Sequence, residues 1–348
     1  MTVDAVWLTP DDPRWPGVLA RVDHDAYHLP GYVQAAAWQE EGCAAAFWSR
    51  GAGGELFVPL ILRPVPQRGD WHDAVSPYGY PGPLWLGDPA ADQRPHWQAF
   101  ADSGRARRLV SVFFRLHPFL PSAADPQQMP GTQVVHGDIY VVDLRQPHED
   151  YQRQVRKSHR RSVRRLQAEG FRVEHNTWEH FPGFTELYDR SMQRLGASRY
   201  YQLRPEYFAA LRRELPQHLH LLSAFDPRGR LAAAGLLLSC GGAVHCHLGG
   251  VGEDFLLNNP TRLIDMQTVE LFREQGYALL NLGGGLGGED DSLAQYKRGF
   301  ATTTFPYATC RLVLDEAAYT HLSGGQTDTP FFPAYRQRGA ELAALTAD

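Results

Sequence analysis

Apolar positions recur along this chain in two rhythms: short unbroken runs, and three- and four-residue spacings, with glycine or proline between them. After an N-terminal helical region at 15–22, residues 44–49 and 55–62 read as a hairpin turning through Gly51-Ala52-Gly53-Gly54. A strand at 71–75 runs into Ser76-Pro77-Tyr78-Gly79-Tyr80-Pro81-Gly82-Pro83, whose prolines and glycines exclude regular structure. Residues 94–105 have helical spacing. An apolar strand at 109–116 ends in His117-Pro118, and another covers 139–144.

The second half repeats the alternation. One helix is expected over 150–170, with Arg153, Arg156, Lys157, Arg160, Arg161, Arg164 and Arg165 on one face. Val155, His159, Ser162, Val163 and Leu166 take the opposite, packing face. Such a stripe either holds the phosphates of a nucleotide or RNA, or is a solvated face. A strand at 171–174, helices at 181–195 and 205–215, and strands at 218–225, 231–240 and 244–248 follow. After Gly249-Gly250 come a helix at 261–275, a strand at 278–282, a strand at 302–314, a Gly/Thr/Pro-rich link at 323–333 and a last helix near 340–345. In His245-Cys246-His247, strand alternation puts the imidazoles on one side and the thiol on the other. No third ligand is near in sequence, so no metal is expected.

Candidate chemistry concentrates after the strand at 278–282, which stops in five glycines within 283–288. Asp290, Asp291 or Ser292 then caps a short helix carrying Tyr296, Lys297 and Phe300. Glycine lets another molecule approach backbone N–H groups, here near Gly284 and Gly285, and Lys297 adds one ammonium. The pattern suits a site for a carbonyl or phosphate; the alternative is a tight turn beside a solvated lysine. Gly283, Gly285 and Gly288 match G-x-G-x-x-G, but that motif should open a βαβ unit early in a domain, and no G-K-[ST] is present. Tyr78 and Tyr80 sit on a rigid loop, gripping a ligand or packing it onto the core. Arg194, Arg199 and Tyr200 bring cations and an aromatic ring together where the helix at 181–195 ends.

Totals narrow the class. The 348 residues suffice for two domains, and 43% hydrophobic with 21% charged residues describes a globular protein. A net charge of −5 excludes coating nucleic acid through bulk charge. Cys43, Cys240, Cys246 and Cys310 are scattered, which suits a reducing compartment. No signal-peptide pattern and no membrane-length apolar run occur, so a cytoplasmic protein is expected.

The two halves share an order: antiparallel strands, a glycine- or proline-rich break, a helix, then a strand. The break at 78–83 corresponds to that at 249–252. This α/β (α+β) order resembles two GNAT acyltransferase domains in tandem, with mixed sheets flanked by helices. Ser158-His159-Arg160-Arg161-Ser162-Val163-Arg164-Arg165 before Gly170-Phe171 is similar to a segment of the tandem-GNAT Fem family. So are Leu187-Tyr188 with Arg194, Gly276-Tyr277, and Tyr296-Lys297-Arg298-Gly299-Phe300. The resemblance implies domains at 1–145 and 146–314, with about 315–348 returning to the first. It also implies an aminoacyltransferase that carries a residue from aminoacyl-tRNA to a cell-wall precursor, peptidoglycan being the family's product. Where the family has Phe-Lys this chain has Tyr296-Lys297, and the implied role of Lys297 is to stabilise the reacting carbonyl. Tyr78, Tyr80, Arg194, Arg199, Tyr200, Gly284, Gly285 and Tyr296 are the expected substrate contacts.

Acyl-CoA GNATs hold pyrophosphate on a [QR]-x-x-G-x-[GA] turn, and the matching place here reads Asn258-Asn259-Pro260-Thr261-Arg262-Leu263-Ile264. The missing glycines crowd the cradle and favour aminoacyl-tRNA as donor substrate, with no cofactor. The alternatives are an N-acyltransferase using acyl-CoA on a small amine or amino sugar, and a non-catalytic nucleotide- or RNA-binding protein.

Overall fold

The computed structural model describes residues 3–66 and 68–337, without the side chain of Arg199. The helix expected near 340–345 lies outside the described residues. The chain forms two compact units, one from residues up to 135 with those from 308 onward, the other from 136–307. Its elements are, in order, β1 (Asp4–Leu8), α1 (Arg14–Leu19), α2 (Pro30–Glu40), β2 (Cys43–Gly51), β3 (Gly54–Val65), β4 (Arg68–Val75), β5 (Leu84–Gly87), α3 (Arg94–Ala106) and β6 (Leu109–Arg115). Then come β7 (Thr132–Asp143), α4 (His148–Gln154), α5 (Lys157–Ala168), β8 (Arg172–His175), α6 (Phe181–Arg194), α7 (Pro205–Glu214), β9 (Leu219–Phe225), β10 (Leu231–Cys240) and β11 (Ala243–Val251). The last are α8 (Thr261–Glu274), β12 (Leu279–Gly284), α9 (Ser292–Arg298), β13 (Thr303–Val313) and α10 (Glu316–Leu322). Among the described residues no helix is long and apolar enough to cross a membrane.

Both units follow one plan. In the first the strand order is β1-β2-β3-β4-β6-β13, with β5 on β3. In the second it is β7-β12-β11-β10-β9-β8. Each has a three-strand antiparallel meander, β2-β3-β4 or β9-β10-β11, a crossover helix, α3 or α8, and a parallel strand, β6 or β12. A parallel partner cannot be reached by a tight turn, so a helix must carry the chain back across the sheet. In the first unit Phe47, Trp97, Phe100 and Phe114 fill the core with edge-on and tilted rings. In the second Tyr151, Leu166, Leu237, Phe272, Leu280 and Phe300 do so.

Beneath the proline-rich loop of the first unit lies a buried polar knot. Asp25 Oδ1 is 2.8 Å from His28 Nδ1 and Asp25 Oδ2 is 2.8 Å from His117 Nε2, with all three side chains fully buried. His117 Nδ1 accepts the Leu120 N–H at 3.0 Å, so its proton sits on Nε2 and is donated to Asp25. His28 Nε2 lies 3.3 Å from the Gly82 carbonyl, tying the loop to the knot.

The helix expected over 150–170 is two helices. Val155 and Arg156 are extended, at φ −56°, ψ 132° and φ −50°, ψ 131°. The Arg156 N–H leaves the helical ladder to donate to the Gly299 carbonyl at 2.8 Å. Arg153 therefore lies on α4, where it pairs with Asp150. The break expected at 249–252 is absent as well: β11 runs on to Val251. Gly250 is needed instead for packing, because a Cβ there would lie 2.4 Å from Leu187 Cδ2 on α6.

Candidate active site

The second sheet opens between β11 and β12. These strands pair in parallel only through Ala243, Val244 and His245 against Leu279, Leu280 and Asn281. Beyond that point β11 continues while β12 shifts register against β7 between Asn281 and Gly283. The strand expected to stop at 282 extends through Gly284, which pairs with Ile139. The glycine segment then forms a 3-10 turn, Leu286–Gly288, and α9 starts at Ser292.

One carboxylate organises this segment. Asp291 Oδ1 accepts the Ala294 N–H at 2.8 Å and caps α9, while Oδ2 accepts the Leu286 N–H at 3.2 Å. These N–H bonds hold its pKa below the ordinary carboxylate range. Other loop amides are taken too: Gly283 N–H by Asn281 Oδ1 at 2.7 Å, Gly288 by the Gly285 carbonyl and Glu289 by the Leu286 carbonyl. The glycines meet steric demands as well, since a Cβ on Gly137 would lie 1.9 Å from the Gly288 oxygen. Arg298 closes the far side on Tyr140 Oη, at 2.9 Å, and on Asp290, at 2.8 Å.

Lys297 faces this loop, half-buried, and its Nζ donates to the Gly284 carbonyl at 2.7 Å. Removal from water pushes the ammonium pKa down, and Cys246, Asp265 and Asp291 oppose the shift. The neighbouring Tyr296 hydroxyl donates to Asp265 Oδ2 at 2.5 Å, and burial raises the phenol's pKa. Burial likewise pushes Asp265 up to about 6, while Tyr296 and Lys297 pull it back. Cys246, on β11, belongs to the same cluster, and burial raises its thiol. His159 of α5 supports α9 from behind: its ring stacks on Phe300 at 4.5 Å and its Nε2 lies 3.1 Å from the Tyr296 carbonyl oxygen. Burial lowers the His159 pKa to about 4, so near neutral pH it is uncharged and donates that bond.

Lys297, Tyr296, Gly284 and Gly285 are thus brought together. Arg194, exposed at the end of α6, reaches the Val251 carbonyl at 3.4 Å, where β11 ends. Tyr200 packs edge-on against Tyr201 at 5.4 Å. The side chain of Arg199 lies outside the described residues. Tyr78 and Tyr80 belong to the first unit, where the Tyr78 carbonyl accepts from Tyr32 Oη at 2.6 Å and Tyr80 packs against Tyr27 at 6.0 Å. His247 Nε2 lies 2.6 Å from Tyr207 Oη and His245 Nδ1 3.1 Å from Asn281 Nδ2; Cys246 takes the opposite face.

Sequence reasoning missed Asp265 and Cys246. Asp265 is one of three acids on α8, with Glu270 and Glu274, so nothing in the sequence singles it out, and Cys246 shows there only as the residue alternating with His245 and His247.

Two further surfaces bear on the donor. On α5, Lys157, Arg161 and Arg164 are exposed, as is Arg156 before it, whereas Arg165 pairs with Glu169. At the start of α8 the Arg262 N–H is taken by the Asn259 carbonyl at 3.2 Å and the Leu263 N–H by the Pro260 carbonyl at 3.0 Å. Donors that a helix N-terminus usually leaves open for an anion are closed there.

Residues 153–298 match the acetyltransferase (GNAT) domain family. No curated protein matches the sequence. Among solved structures, the chain is similar to FemX, at 13% identity and TM-score 0.68, covering 91% of this chain and 99% of FemX. It is also similar to the C-terminal domain of a putative lysylphosphatidylglycerol synthetase from Agrobacterium fabrum, at 15% identity and TM-score 0.55, covering 90% and 94%. A tandem GNAT protein from the clavulanic acid biosynthesis pathway gives 14% identity and TM-score 0.51, covering 89% and 98%. The chain therefore has a Fem-like tandem GNAT fold, and its second unit carries an acyltransferase domain of the GNAT type.

Proposed function

We propose that this acyltransferase moves an aminoacyl group from aminoacyl-tRNA to an amine of a cell-wall precursor or a similar nucleotide-linked acceptor. The observation that carries the reading is the Lys297 ammonium, desolvated at the opening of the second sheet and fixed to Gly284. The acceptor amine attacks the ester carbonyl, the C–N bond forms, and the ester C–O bond breaks to release the ribose hydroxyl. Charge collects on the carbonyl oxygen in between, and a fixed ammonium in a water-poor site stabilises it. The ester is already activated, so no enzyme nucleophile is required. The closed N-terminus of α8 favours this donor over a pyrophosphate-bearing one. The exposed cations of α5 suit RNA phosphates, and Arg194, Arg199 and Tyr200 of the second unit are assigned to the acceptor.

A second reading keeps the site and uses acyl-CoA on a small amine; the family match to acetyltransferases favours it. A transfer assay offering each donor in turn decides between them. With the true donor, Lys297→Met should lower kcat about 10²–10³-fold, the usual cost of removing one oxyanion donor. Full activity in Lys297→Met would refute both readings.

A further inference from the structure

We propose that the second unit docks on an anionic lipid bilayer through exposed leucines gathered at the end of the sheet where the site opens. The inference stands on surface chemistry and holds for either donor.

Among the described residues of 136–307, the exposed large aliphatic side chains are Leu195, Leu256, Leu257, Leu286 and Leu293. They are scattered in sequence and emerge together. β11 and β12 run parallel, so the segments that follow them leave the same end of the sheet. Leu256 and Leu257 follow β11, and Leu286 follows β12. Leu293 lies in the first turn of α9, whose capping residue Asp291 also holds the Leu286 N–H at 3.2 Å. Leu195 closes α6, which reaches the same end: Arg194 and Ser191 both donate to the Val251 carbonyl, at 3.4 and 3.3 Å.

The exposure is built into the backbone. Phe255 is buried, its ring 6.2 Å from that of Phe171 and 4.8 Å from the Arg230 guanidinium. Its carbonyl accepts the Asn258 and Asn259 N–H groups, both at 3.0 Å, which closes a turn with Leu256 and Leu257 at its tip. Leu257 is fully exposed there. One exposed leucine carries no meaning. A cluster confined to one end of a unit whose other large aliphatic side chains are at least partly buried marks an interaction surface.

Charge selects the partner. α5 ends against this turn, with Arg165 reaching the Asn258 carbonyl at 3.4 Å. Arg161 and Arg164, in the last turns of α5, are exposed, as is Arg194 beside Leu195. Of the acids at this end, Asp254 is bonded by Arg230 at 3.2 Å and Asp290 by Arg298 at 2.8 Å, while Glu253 and Glu289 are exposed. Aliphatic tips flanked by arginines match the layers of an anionic membrane surface, phosphate outside and hydrocarbon beneath. RNA would engage the arginines and leave the leucines in water. A second copy of the chain would cover them, but a stable protein interface draws on roughly 20–30 residues a side, far more than this cluster supplies.

Sedimentation of the full-length protein with vesicles is the test, and it needs neither donor nor turnover. Wild type should pellet with vesicles of equal parts phosphatidylcholine and phosphatidylglycerol, pellet far less with phosphatidylcholine alone, and be released by salt. Leu256→Gln/Leu257→Gln should weaken binding about tenfold or more, since burying even one leucine is worth that factor. Arg161→Gln/Arg164→Gln should weaken it about fivefold per cation. Trp38→Gln, which removes an exposed ring from the first unit, should change nothing. A melting temperature equal to that of the wild type shows that the leucine variant folds, and Leu286→Gln/Leu293→Gln takes its place if it does not.

Equal vesicle binding by the leucine variant and the wild type overturns the proposal, as does a wild type that stays in solution with the phosphatidylglycerol vesicles. In that second case, single-stranded RNA held by the arginines assigns the patch to nucleic acid, and a leucine-dependent change in sedimentation coefficient assigns it to a second copy. Because the readout is a pellet and not a product, failure of the acyl-transfer reading is seen separately.

Discussion

A Cβ built on Gly285 would stand 2.0 Å from the carbonyl oxygen of Glu289 and 2.8 Å from Asp291 Oδ1. Neither obstacle is the loose end of a flexible chain: one is backbone and the other is the carboxylate that caps α9. Gly285→Ala therefore has to push the 3-10 turn away from the helix that carries Lys297. Overpacking of this kind costs about 1–3 kcal/mol. Chemical denaturation should show that loss, and acyl transfer should fall with it because the Gly284–Lys297 register is disturbed.

The same loop makes stability depend on pH through Asp291. Its carboxyl has a lower pKa folded than unfolded, so its contribution is present above the unfolded value and is lost as pH falls through the folded one. Replacement by alanine removes the cap, a change worth about 1 kcal/mol at neutral pH. The difference in melting temperature between wild type and Asp291→Ala should shrink as the pH is lowered through the acid range. A constant difference at every pH would mean the carboxylate charge contributes nothing.

In the first unit the decisive group is Asp25, fully buried between His28 and His117. Asp25→Ala takes the shared carboxylate away from the His28 and His117 rings and loosens the turn at Gly82. Breaking a buried polar pair from one side costs about 3–5 kcal/mol. Urea unfolding should register a loss of that size, well beyond the effect of Asp102→Ala on the exposed side of α3.

What could be read from the residues alone followed the strength of local signals. β10 is a nearly unbroken apolar run and α6 an amphipathic helix with proline near its start, so both stand out in the sequence. α2 does not: it buries Ala35, Ala36 and Ala37 through small side chains that make no apolar stripe. The break between α4 and α5 has neither proline nor glycine. It exists because Arg156 finds Gly299, a partner far along the chain. The site divides the same way. Lys297 stood out beside its glycines, whereas Asp265 is separated from Tyr296 by thirty-one positions and meets it only when α8 and α9 pack.

Lysine normally carries its charge on a tether with about 2 kcal/mol of rotational freedom. At Lys297 one of the three N–H bonds is already committed to the end of β12, so the directions of the other two are dictated by the strand. The disorder a surface lysine would give up on meeting a reactant has here been surrendered during folding, and an arriving oxygen finds its partner already aimed.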